Sequence, residues 1–376
     1  MPLAGDGLEP DDYRLMGRAL QLAERGYYSA RPNPRVGCVI AHQGQIVGEG
    51  FHYRAGEPHA EINALQSAQE RARGATVYVT LEPCCHHGRT PPCADALIAA
   101  RVARVVYACA DPNPRVDGGG AQRLRKAGIT VASGIMSAPA AEQNRGFFRR
   151  MRLGRPFVTI KLGMTLDGKT ALASGASRWI TGIAARADVQ RLRAASGAII
   201  TGVGTVNADD PALNVRDDRF DLAGQQPLRV ILDSNLRCAP ASKMLRLPGE
   251  TLVYFGSDNQ SAAQVLRDAG ARTERVGMRS TGLDLNHILT RLGEHEVNDV
   301  LLEAGATLCG AFIRERLFDE IVIYIAPKLF GNAARDGFNL TSPPHVADAP
   351  ELELIDVRQI GSDLRLTLRP PDVAST

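Results

Sequence analysis

Residues 59–93 of this chain begin with HAE and end with PCCHHGRTPPC. One imidazole, from His59, and two thiolates, from Cys84 and Cys93, are ligand types that hold a catalytic zinc ion with a fourth position left for water. Glu61 follows the imidazole by two residues, and its carboxylate can move the protons of that water. The stretch therefore predicts a hydrolytic zinc site, of the kind a deaminase uses, carried on the start of a helix and the loop after the next strand.

Each of these residues has an ordinary structural explanation when taken alone, because a lone cysteine usually packs in a core. The order of the residue types, with a proline before Cys84, favours the zinc site. Cys85 is an alternative ligand, although its side chain should diverge from that of Cys84. A purely structural zinc site is a second alternative, but such sites normally have four protein ligands, and Glu61 would then have no function.

Length and composition indicate a soluble globular protein of two domains. The 376 residues exceed what one hydrophobic core usually serves. The formal net charge of +3 argues against a surface dedicated to nucleic acid. Apolar runs fall short of the roughly 20 residues of a membrane helix, and the acidic N-terminus does not resemble a secretory signal. We therefore expect a cytoplasmic protein that binds neither nucleic acid nor membrane.

The seven cysteines are an odd number for a closed disulfide framework. Cys38, Cys109 and Cys309 lie in apolar runs, which is typical of buried thiols. We therefore expect free thiols throughout the chain, consistent with a reducing compartment.

Apolar periodicity predicts alternating helices and strands in the first half, and hence a mainly parallel sheet with helices on both faces. The expected helices are 10–26, 59–74, 93–100 and 120–127, and the expected strands are 36–40, 46–50, 76–80, 102–108 and 129–132.

A basic run with a glycine and a proline, residues 149–156, predicts the joint between domains, so we expect domains at residues 1–153 and 154–376. The second half also alternates, and its tail predicts a closing antiparallel pair. Its expected strands are 157–162, 198–201, 229–233, 251–255, 299–302 and 320–326, and its expected helices are 184–194, 262–269 and a segment from Gly305 through Leu317.

The first half resembles the cytidine-deaminase-like superfamily, whose signature is H-x-E followed by P-C-x-x-C. Here eight residues instead of two separate Cys84 from Cys93. That long loop, with PNPRVG at residues 32–37 and DPNP at residues 111–114, is similar to the deaminase half of the bifunctional riboflavin-biosynthesis deaminase/reductases. The resemblance implies a cytidine-deaminase-like α/β/α domain that removes an amine, as ammonia, from a diaminopyrimidinone ribosyl phosphate.

The same resemblance implies that His59, Cys84 and Cys93 are the zinc ligands and that Glu61 is the proton shuttle. Three further residues are candidates for substrate binding, and each has a plain alternative. Asn33 would contact the ribose or the pyrimidine, or else form a turn. His86 and Arg89 lie inside the ligand loop, where an arginine fork suits a phosphate, or else they are solvated charges.

Taken without any resemblance, the second half offers only weak signals of function. TGVGT (residues 201–205) and EAGAT (residues 303–307) each follow an apolar strand and precede a helical pattern. Backbone N–H groups at such positions can bind a phosphate. Neither segment is a complete G-x-G-x-x-G motif, and glycine in a tight turn is the alternative.

Longer strings resemble the reductase half of the same bifunctional family: KLGMTLDGK (161–169), SRWIT (177–181), ADDPAL (208–213), EAG (303–305) and IAPK (325–328). The resemblance implies a dihydrofolate-reductase-like α/β domain that reduces the ribosyl group of the deaminated product to ribityl, with NADPH as hydride donor. The choice of NADPH comes from the resemblance alone.

The resemblance also implies two sets of site residues in the second half. The cofactor set is Gly163, Trp179, Thr205, Asp209, Ser234, Gly305, Ala306 and Thr307. The substrate set is Lys161, Ser177, Arg193, Leu213, Arg216 and Glu303. The two arginines suit a phosphate, Lys161 is a candidate to polarise the sugar, and Trp179 has a core position as its alternative.

An alternative function keeps the zinc deaminase but directs it at RNA, with the second half as a binding module. The near-neutral charge and the lack of an aromatic and basic surface pattern argue against it. We also expect a homo-oligomer.

Overall fold

The computed structural model describes residues 8–85, 91–113, 116 and 118–371. Two of the predicted substrate residues, His86 and Arg89, lie outside the described residues. The chain divides into two compact units, Met1–Gly154 and Arg155–Thr376. Within the described part of the chain, none of the helices combines the length and the apolar character needed to cross a membrane.

The first unit contains a five-stranded sheet in the spatial order β2-β1-β3-β4-β5. Its strands are β1 (Gly37–His42), β2 (Gln45–Phe51), β3 (Thr76–Leu81), β4 (Arg104–Cys109) and β5 (Thr130–Ser133). Strand β1 runs antiparallel to β2 and β3, whereas β3, β4 and β5 are parallel.

The prediction of a mainly parallel sheet is therefore wrong for the first unit. The turn between β1 and β2 consists of Gln43 and Gly44, with φ angles of 50° and 76°. A two-residue turn with positive φ at both positions joins antiparallel strands. The sheet is mixed because this hairpin lies at its edge.

Among the described residues, six α-helices accompany this sheet, and the first four follow the predictions except that α2 ends at Ala68. They are α1 (Pro10–Glu24), α2 (Ala60–Ala68), α3 (Cys93–Ala99), α4 (Gly119–Lys126), α5 (Ser137–Gln143) and α6 (Arg145–Leu153).

Helices α5 and α6 were not predicted, and the basic run at residues 149–156 is not simply a joint. Its first part forms the end of α6, whose residues Phe147 and Phe148 are buried. The arginines of the last turn suit the negative end of the helix dipole. Gly154, with a φ of 67°, ends the helix.

Glycines bring helices α1 and α2 unusually close to the sheet. A Cβ atom on Gly37 of β1 would lie 2.0 Å from the carbonyl oxygen of Ala19, and one on Gly50 of β2 would lie 2.4 Å from that of Ala60. No side chain fits at either position. Helix α2 is thereby held directly on β2, and the residue before it, His59, is held with it.

The second unit contains a nine-stranded sheet in the order β11-β10-β9-β8-β14-β6-β15-β18-β17. The strands of this unit are β6 (Phe157–Thr165), β7 (Lys169–Ala171), β8 (Ala198–Gly202), β9 (Leu228–Leu232), β10 (Thr251–Phe255), β11 (Arg272–Arg275), β12 (Met278–Arg279), β13 (Gly282–Leu283), β14 (Asp299–Leu302), β15 (Glu320–Ala326), β16 (Arg335–Asp336), β17 (Glu353–Ile360) and β18 (Asp363–Arg369). The pairs β12-β13 and β16-β7 form two small separate sheets.

In the large sheet, each strand from β11 across to β15 is parallel to the next one in the order above. The last two pairings, β15 with β18 and β18 with β17, are antiparallel. The predictions of an α/β domain and of a closing antiparallel pair are confirmed here. The helices are α7 (Ile183–Ala195), α8 (Val203–Asp209), α9 (Gln260–Asp268), α10 (Leu285–Glu294) and α11 (Ala306–Arg314). Helix α11 ends at Arg314, before the predicted end at Leu317.

Neighbouring residues along the strands of this sheet pack into two different hydrophobic clusters. Ile200 and Val230 belong to one cluster, and Ile199 and Ile231 belong to the other. Because successive side chains of a strand point to opposite faces, the sheet is covered on both sides. The carboxyl ends of its parallel strands are then the natural edge for a site.

Candidate zinc site and reductase site

Three separate elements of the first unit bring His59, Cys84 and Cys93 together. His59 immediately precedes α2, Cys84 follows β3, and Cys93 is the first residue of α3. The Nδ1 atom of His59 lies 3.7 Å from Sγ of Cys84 and 3.3 Å from Sγ of Cys93. The three ligand atoms all lie within 4.8 Å of one another. Ligands of a tetrahedral zinc ion lie about 3.5 to 3.8 Å apart, so this donor set fits zinc.

The side chains of Cys84 and Cys93 are hydrogen-bonded to each other. The backbone N–H of Cys93 donates to Sγ of Cys84 at 3.3 Å. The hydrogen bond from the Cys93 thiol lowers the pKa of Cys84, and the same bond raises the pKa of Cys93. Zinc binding requires both thiols to be deprotonated, so binding releases the proton of Cys93.

Glu61 lies in the first turn of α2 and is 4% exposed. Burial raises the pKa of its carboxyl group, although the nearby His59 acts in the opposite direction. A carboxyl group with a raised pKa can both accept and return a proton near neutral pH. The side chain also interacts with the Cys93 thiol, so it lies at the ligand cluster.

Cys85 is not part of the ligand cluster. Its sulfur lies 3.9 Å from the carbonyl oxygen of Val116. Among the described residues, the cluster that could hold a metal contains His59, Cys84 and Cys93 and no fourth histidine, cysteine or carboxylate. The described donor set therefore matches a catalytic zinc site with an open position.

Asn33 is linked to the ligand cluster through His52. The Nδ1 atom of His52 lies 3.2 Å from the carbonyl oxygen of Pro58, so it carries the hydrogen, and Nε2 accepts from the side-chain amide of Asn33 at 3.0 Å. Burial lowers the pKa of His52 to about 4, which keeps the ring neutral. The His52 and His59 rings meet edge to face at 5.2 Å. Sequence reasoning missed His52, because a lone histidine after a strand carries no signal of its own.

Glu82 is a second residue that the sequence did not single out. It is 3% exposed, and its carboxylate accepts from the backbone N–H groups of Gly118 and Ala121 at the start of α4. A Cβ atom on Gly120 would lie 1.9 Å from the carbonyl oxygen of Pro83. Helix α4 therefore packs directly on the backbone that precedes Cys84 and fixes its position.

In the second unit, several predicted cofactor residues lie at the carboxyl ends of neighbouring strands. Thr205 follows β8, Ser234 follows β9, and Gly305 precedes α11 after β14. Since β9, β8 and β14 are parallel neighbours, the structure brings these residues to one edge of the sheet. Gly163 lies farther in, on β6, where an added Cβ atom would lie 3.2 Å from the Thr181 side chain.

Trp179 lies on the loop between β7 and α7 and is 64% exposed, so the alternative of a core position is wrong. The Arg186 guanidinium lies 4.4 Å from its ring centre, and the Lys328 ammonium group donates to its backbone carbonyl at 2.8 Å. Asp209 belongs to the same region, because Arg178 donates to its backbone carbonyl oxygen.

Four predicted substrate residues form one charged cluster. Arg193 donates to both oxygens of Glu303, at 2.6 and 2.9 Å. Burial would raise the pKa of Glu303, but the charges of Arg193, Lys161 and Arg216 outweigh it and lower that pKa. Burial also lowers the pKa of Lys161. The cluster therefore holds an ionised carboxylate beside a lysine that loses its proton more readily than usual.

The two remaining substrate candidates of the second unit are Leu213 and Ser177. Leu213 is 2% exposed and packs among hydrophobic residues of the core, so its contribution to a ligand would come from its backbone. Ser177 lies half-buried on the loop that also carries Trp179.

Two protein families match the chain, one in each half. Residues 9–109 match the cytidine and deoxycytidylate deaminase zinc-binding region, and residues 156–366 match the RibD C-terminal domain. The matches confirm the predicted fold class, a cytidine-deaminase-like domain followed by a dihydrofolate-reductase-like domain. Together they favour the bifunctional enzyme over the RNA-directed alternative.

Relatives align over almost the whole chain. The riboflavin biosynthesis protein RibD of Escherichia coli K12 is 49% identical, over 95% of this chain and 99% of its own length. The RibD protein of Haemophilus influenzae is 47% identical over 96% and 98%. A structure of Acinetobacter baumannii RibD has a TM-score of 0.90 at 48% identity and covers 96% of this chain and 99% of its own.

A Thermotoga maritima structure described as a diaminohydroxyphosphoribosylaminopyrimidine deaminase/5-amino-6-(5-phosphoribosylamino)uracil reductase is 32% identical. Its TM-score is 0.84, and the alignment covers 96% of this chain and 99% of that one. The similarity therefore includes a protein named for both activities.

Proposed function

This chain belongs to the RibD family of riboflavin biosynthesis proteins, and on that premise we propose how its residues divide two consecutive reactions. The first is the zinc-dependent hydrolytic deamination of a diaminopyrimidinone ribosyl phosphate. The second is the NADPH-dependent reduction of the ribosyl group of that product to ribityl. The observation that carries the proposal is the cluster of His59, Cys84 and Cys93 with the buried carboxyl group of Glu61 beside it.

Residues 1–153 are the deaminase domain, with His59, Cys84 and Cys93 as zinc ligands. Zinc, when bound, lowers the pKa of the water that attacks the substrate. Glu61 takes a proton from that water and delivers it to the departing amine, so that ammonia leaves. The raised pKa of Glu61 supports this role, because a strongly acidic carboxyl group would not hold the proton between the two transfers.

Asn33 orients the pyrimidine or the ribose. Its side-chain amide donates to His52, which fixes the amide and turns its carbonyl oxygen in a defined direction. His52 is neutral and is itself fixed by the Pro58 carbonyl, so it acts as a support for Asn33. The phosphate is assigned to His86 and Arg89 because they lie between Cys84 and Cys93 in the sequence and an arginine fork suits phosphate oxygens.

Residues 154–376 are the reductase domain. NADPH, when bound, supplies the hydride, and the protein orients it and supplies charge. The proposed cofactor residues are Gly163, Trp179, Thr205, Asp209, Ser234, Gly305, Ala306 and Thr307. The proposed substrate residues are Lys161, Ser177, Arg193, Leu213, Arg216 and Glu303. Lys161, whose pKa is lowered by burial, suits proton transfer during opening of the sugar ring, whereas Glu303 stays ionised and supplies negative charge.

We further propose that the enzyme works in the cytoplasm as a homo-oligomer and binds neither nucleic acid nor membrane. The absence of disulfides among its seven cysteines supports a reducing compartment. The relation to metabolic enzymes that act on small molecules supports the absence of a nucleic-acid partner. Sedimentation of the purified chain would test the oligomeric state.

One assay tests both reactions. The purified, zinc-replete chain is incubated with the diaminopyrimidinone ribosyl phosphate, with and without NADPH. Ammonia release should not depend on NADPH, whereas NADPH oxidation should require the deaminated product. Absence of ammonia would overturn the deaminase, and absence of NADPH oxidation with the deaminated compound would overturn the reductase.

A further inference from the structure

Asp167 connects two segments of the second unit that are far apart in sequence. It lies in the turn between β6 and β7, and its carboxylate accepts from the backbone N–H groups of Phe330 at 3.0 Å and Gly331 at 2.7 Å. The Thr165 hydroxyl donates to the same carboxylate at 2.5 Å. One side chain therefore ties the turn after β6 to the segment that leaves β15.

These contacts differ from those of an ordinary turn carboxylate. An aspartate in a tight turn commonly accepts from an N–H group about two residues along the chain. Asp167 instead accepts from residues separated from it by 163 and 164 positions. The hydrogen bonds from Thr165 and Gly331 lower the pKa of Asp167, so the carboxylate is ionised at neutral pH. Hydrogen bonds from backbone N–H groups to an ionised carboxylate are stronger than neutral ones.

The segment that Asp167 fixes, residues 328–331, contacts Trp179 through the side chain of Lys328. The backbone N–H of Leu166 donates to the carbonyl of Lys328 at 2.9 Å, so residues 328–331 are held at two points. The Lys328 ammonium group then donates to the backbone carbonyl of Trp179 at 2.8 Å. Lys328 and Trp179 are both exposed, so the hydrogen bond between them lies at the surface of the second unit.

We propose that Asp167 is a positioning residue for the reductase, acting through Lys328 on the backbone of Trp179. This inference rests on the proposed function, in which Trp179 lines the NADPH site. By fixing residues 328–331, Asp167 holds the ammonium group of Lys328 where it meets the Trp179 carbonyl. Its loss therefore weakens the binding of NADPH and leaves the chemistry of the bound cofactor largely intact.

The test uses the full, zinc-replete chain and the substitution Asp167→Asn, which keeps the size of the side chain and removes its charge. We expect the KM for NADPH to rise about tenfold, as for the loss of one charged hydrogen bond, with kcat at saturating NADPH within about threefold of the unmodified enzyme. Ammonia release by the first unit should stay unchanged. Trp179 is the only tryptophan, so quenching of its fluorescence by NADPH should shift to about tenfold higher NADPH concentration.

Lys328→Met removes the hydrogen bond to the Trp179 carbonyl and leaves Asp167 unchanged. It should produce the same increase in KM and the same shift in the tryptophan titration. If both residues act along one path, the double substitution should be no worse than the more severe single one. Additive effects in the double variant would show that Asp167 does not act through Lys328 and would overturn the proposal.

Asp336→Asn is the matched control. Asp336 is an exposed aspartate nearby that pairs with Lys169, next to the same turn, and it makes none of the contacts to residues 328–331 described above. Its substitution should leave KM and fluorescence unchanged. The proposal is overturned if Asp167→Asn leaves the KM for NADPH unchanged, or if it only lowers the melting temperature together with kcat. Failure of the unmodified enzyme to oxidise NADPH would overturn the proposed reductase instead, and the fluorescence titration with NADPH would still test Asp167.

Discussion

The guanidinium of Arg193 donates to both carboxylate oxygens of Glu303, at 2.6 and 2.9 Å, and both side chains are 11% exposed. A buried pair of this kind depends on both partners, because removing one leaves a charge without its counter-ion. This ion pair also bears on the predicted role of Arg193 in binding the substrate phosphate. The guanidinium is already engaged by Glu303, so a phosphate would share it with the carboxylate, while Arg216 is exposed and less engaged.

Arg193→Met should therefore impair the second unit alone. It leaves Glu303 buried beside Lys161 without its main partner, and breaking such a pair costs about 3 to 5 kcal/mol. We expect a lower free energy of unfolding, measured by urea denaturation with Trp179 fluorescence, and loss of NADPH oxidation. Ammonia release should persist. Arg219→Met, at an exposed arginine that pairs with Asp217, is the control and should leave both quantities unchanged. Equal stability of the two variants would contradict the proposed importance of the pair.

Glu61→Gln should separate zinc binding from catalysis. The amide keeps the shape of the side chain but cannot carry the proton, so ammonia release should fall by roughly a hundredfold to ten-thousandfold. Zinc content, measured by metal analysis of the purified protein, should remain near that of the unmodified chain because Glu61 is not a proposed ligand. NADPH oxidation with the deaminated substrate should be unchanged. Retained ammonia release would show that the metal cluster has a structural role instead.

Cys85 and Cys93 provide a matched pair of substitutions for the metal site. Cys93→Ser removes a thiolate from the cluster, so we expect loss of bound zinc and of ammonia release. Cys85→Ser changes a neighbouring thiol whose sulfur lies near Val116 and should retain both. Removal of zinc from the unmodified enzyme with a chelator should abolish ammonia release and spare NADPH oxidation. Loss of zinc in Cys85→Ser would show that Cys85 is a zinc ligand.

The sequence predicted which three potential zinc ligands the fold brings together, because they combine rare residue types in a fixed order. It predicted the helices and strands well where apolar periodicity is regular, as in α1 and β15. The sequence-based prediction missed α6, because its arginines are typical of a joint between domains. In the structure, Phe147 and Phe148 are buried and hold the helix in the core. The prediction also failed for the pairing of β1 with β3, which is antiparallel, because the short buried run of β1 does not show the direction of its neighbour.

Residues that hold other site residues in position could not be predicted from the sequence. His52, Glu82 and Asp167 are common residue types in unremarkable positions, and each gains its role from a contact that only the fold creates. His52 meets Asn33 across 19 positions, and Glu82 meets Ala121 across 39. The zinc ligands and Glu61 could be predicted from residue type and spacing, and the site residues of the second unit only from the family resemblance. The residues that support them could be found only from three-dimensional neighbours.

Asp188 should make the stability of the second unit depend on pH in the acidic range. Its carboxylate accepts from Arg191, from the buried hydroxyl of Tyr324 and from Arg365, at 2.7, 2.6 and 2.8 Å. Burial alone would raise the pKa of Asp188, but these three hydrogen bonds lower it to about 2. Because the folded pKa lies below the unfolded one, the stabilisation is complete above about pH 5 and is lost as the pH falls toward 2.

Asp188→Asn should therefore lower the free energy of unfolding by about 2 kcal/mol at neutral pH. The difference from the unmodified chain should shrink as the pH falls from about 5 toward 2, because the unmodified carboxyl group then becomes protonated as well. Urea denaturation followed by Trp179 fluorescence reports on the second unit, which contains the only tryptophan. Asp356→Asn removes a more exposed partner of Arg365 and should have a smaller effect. A stability difference that stays constant across this pH range would show that ionisation of Asp188 does not stabilise the fold.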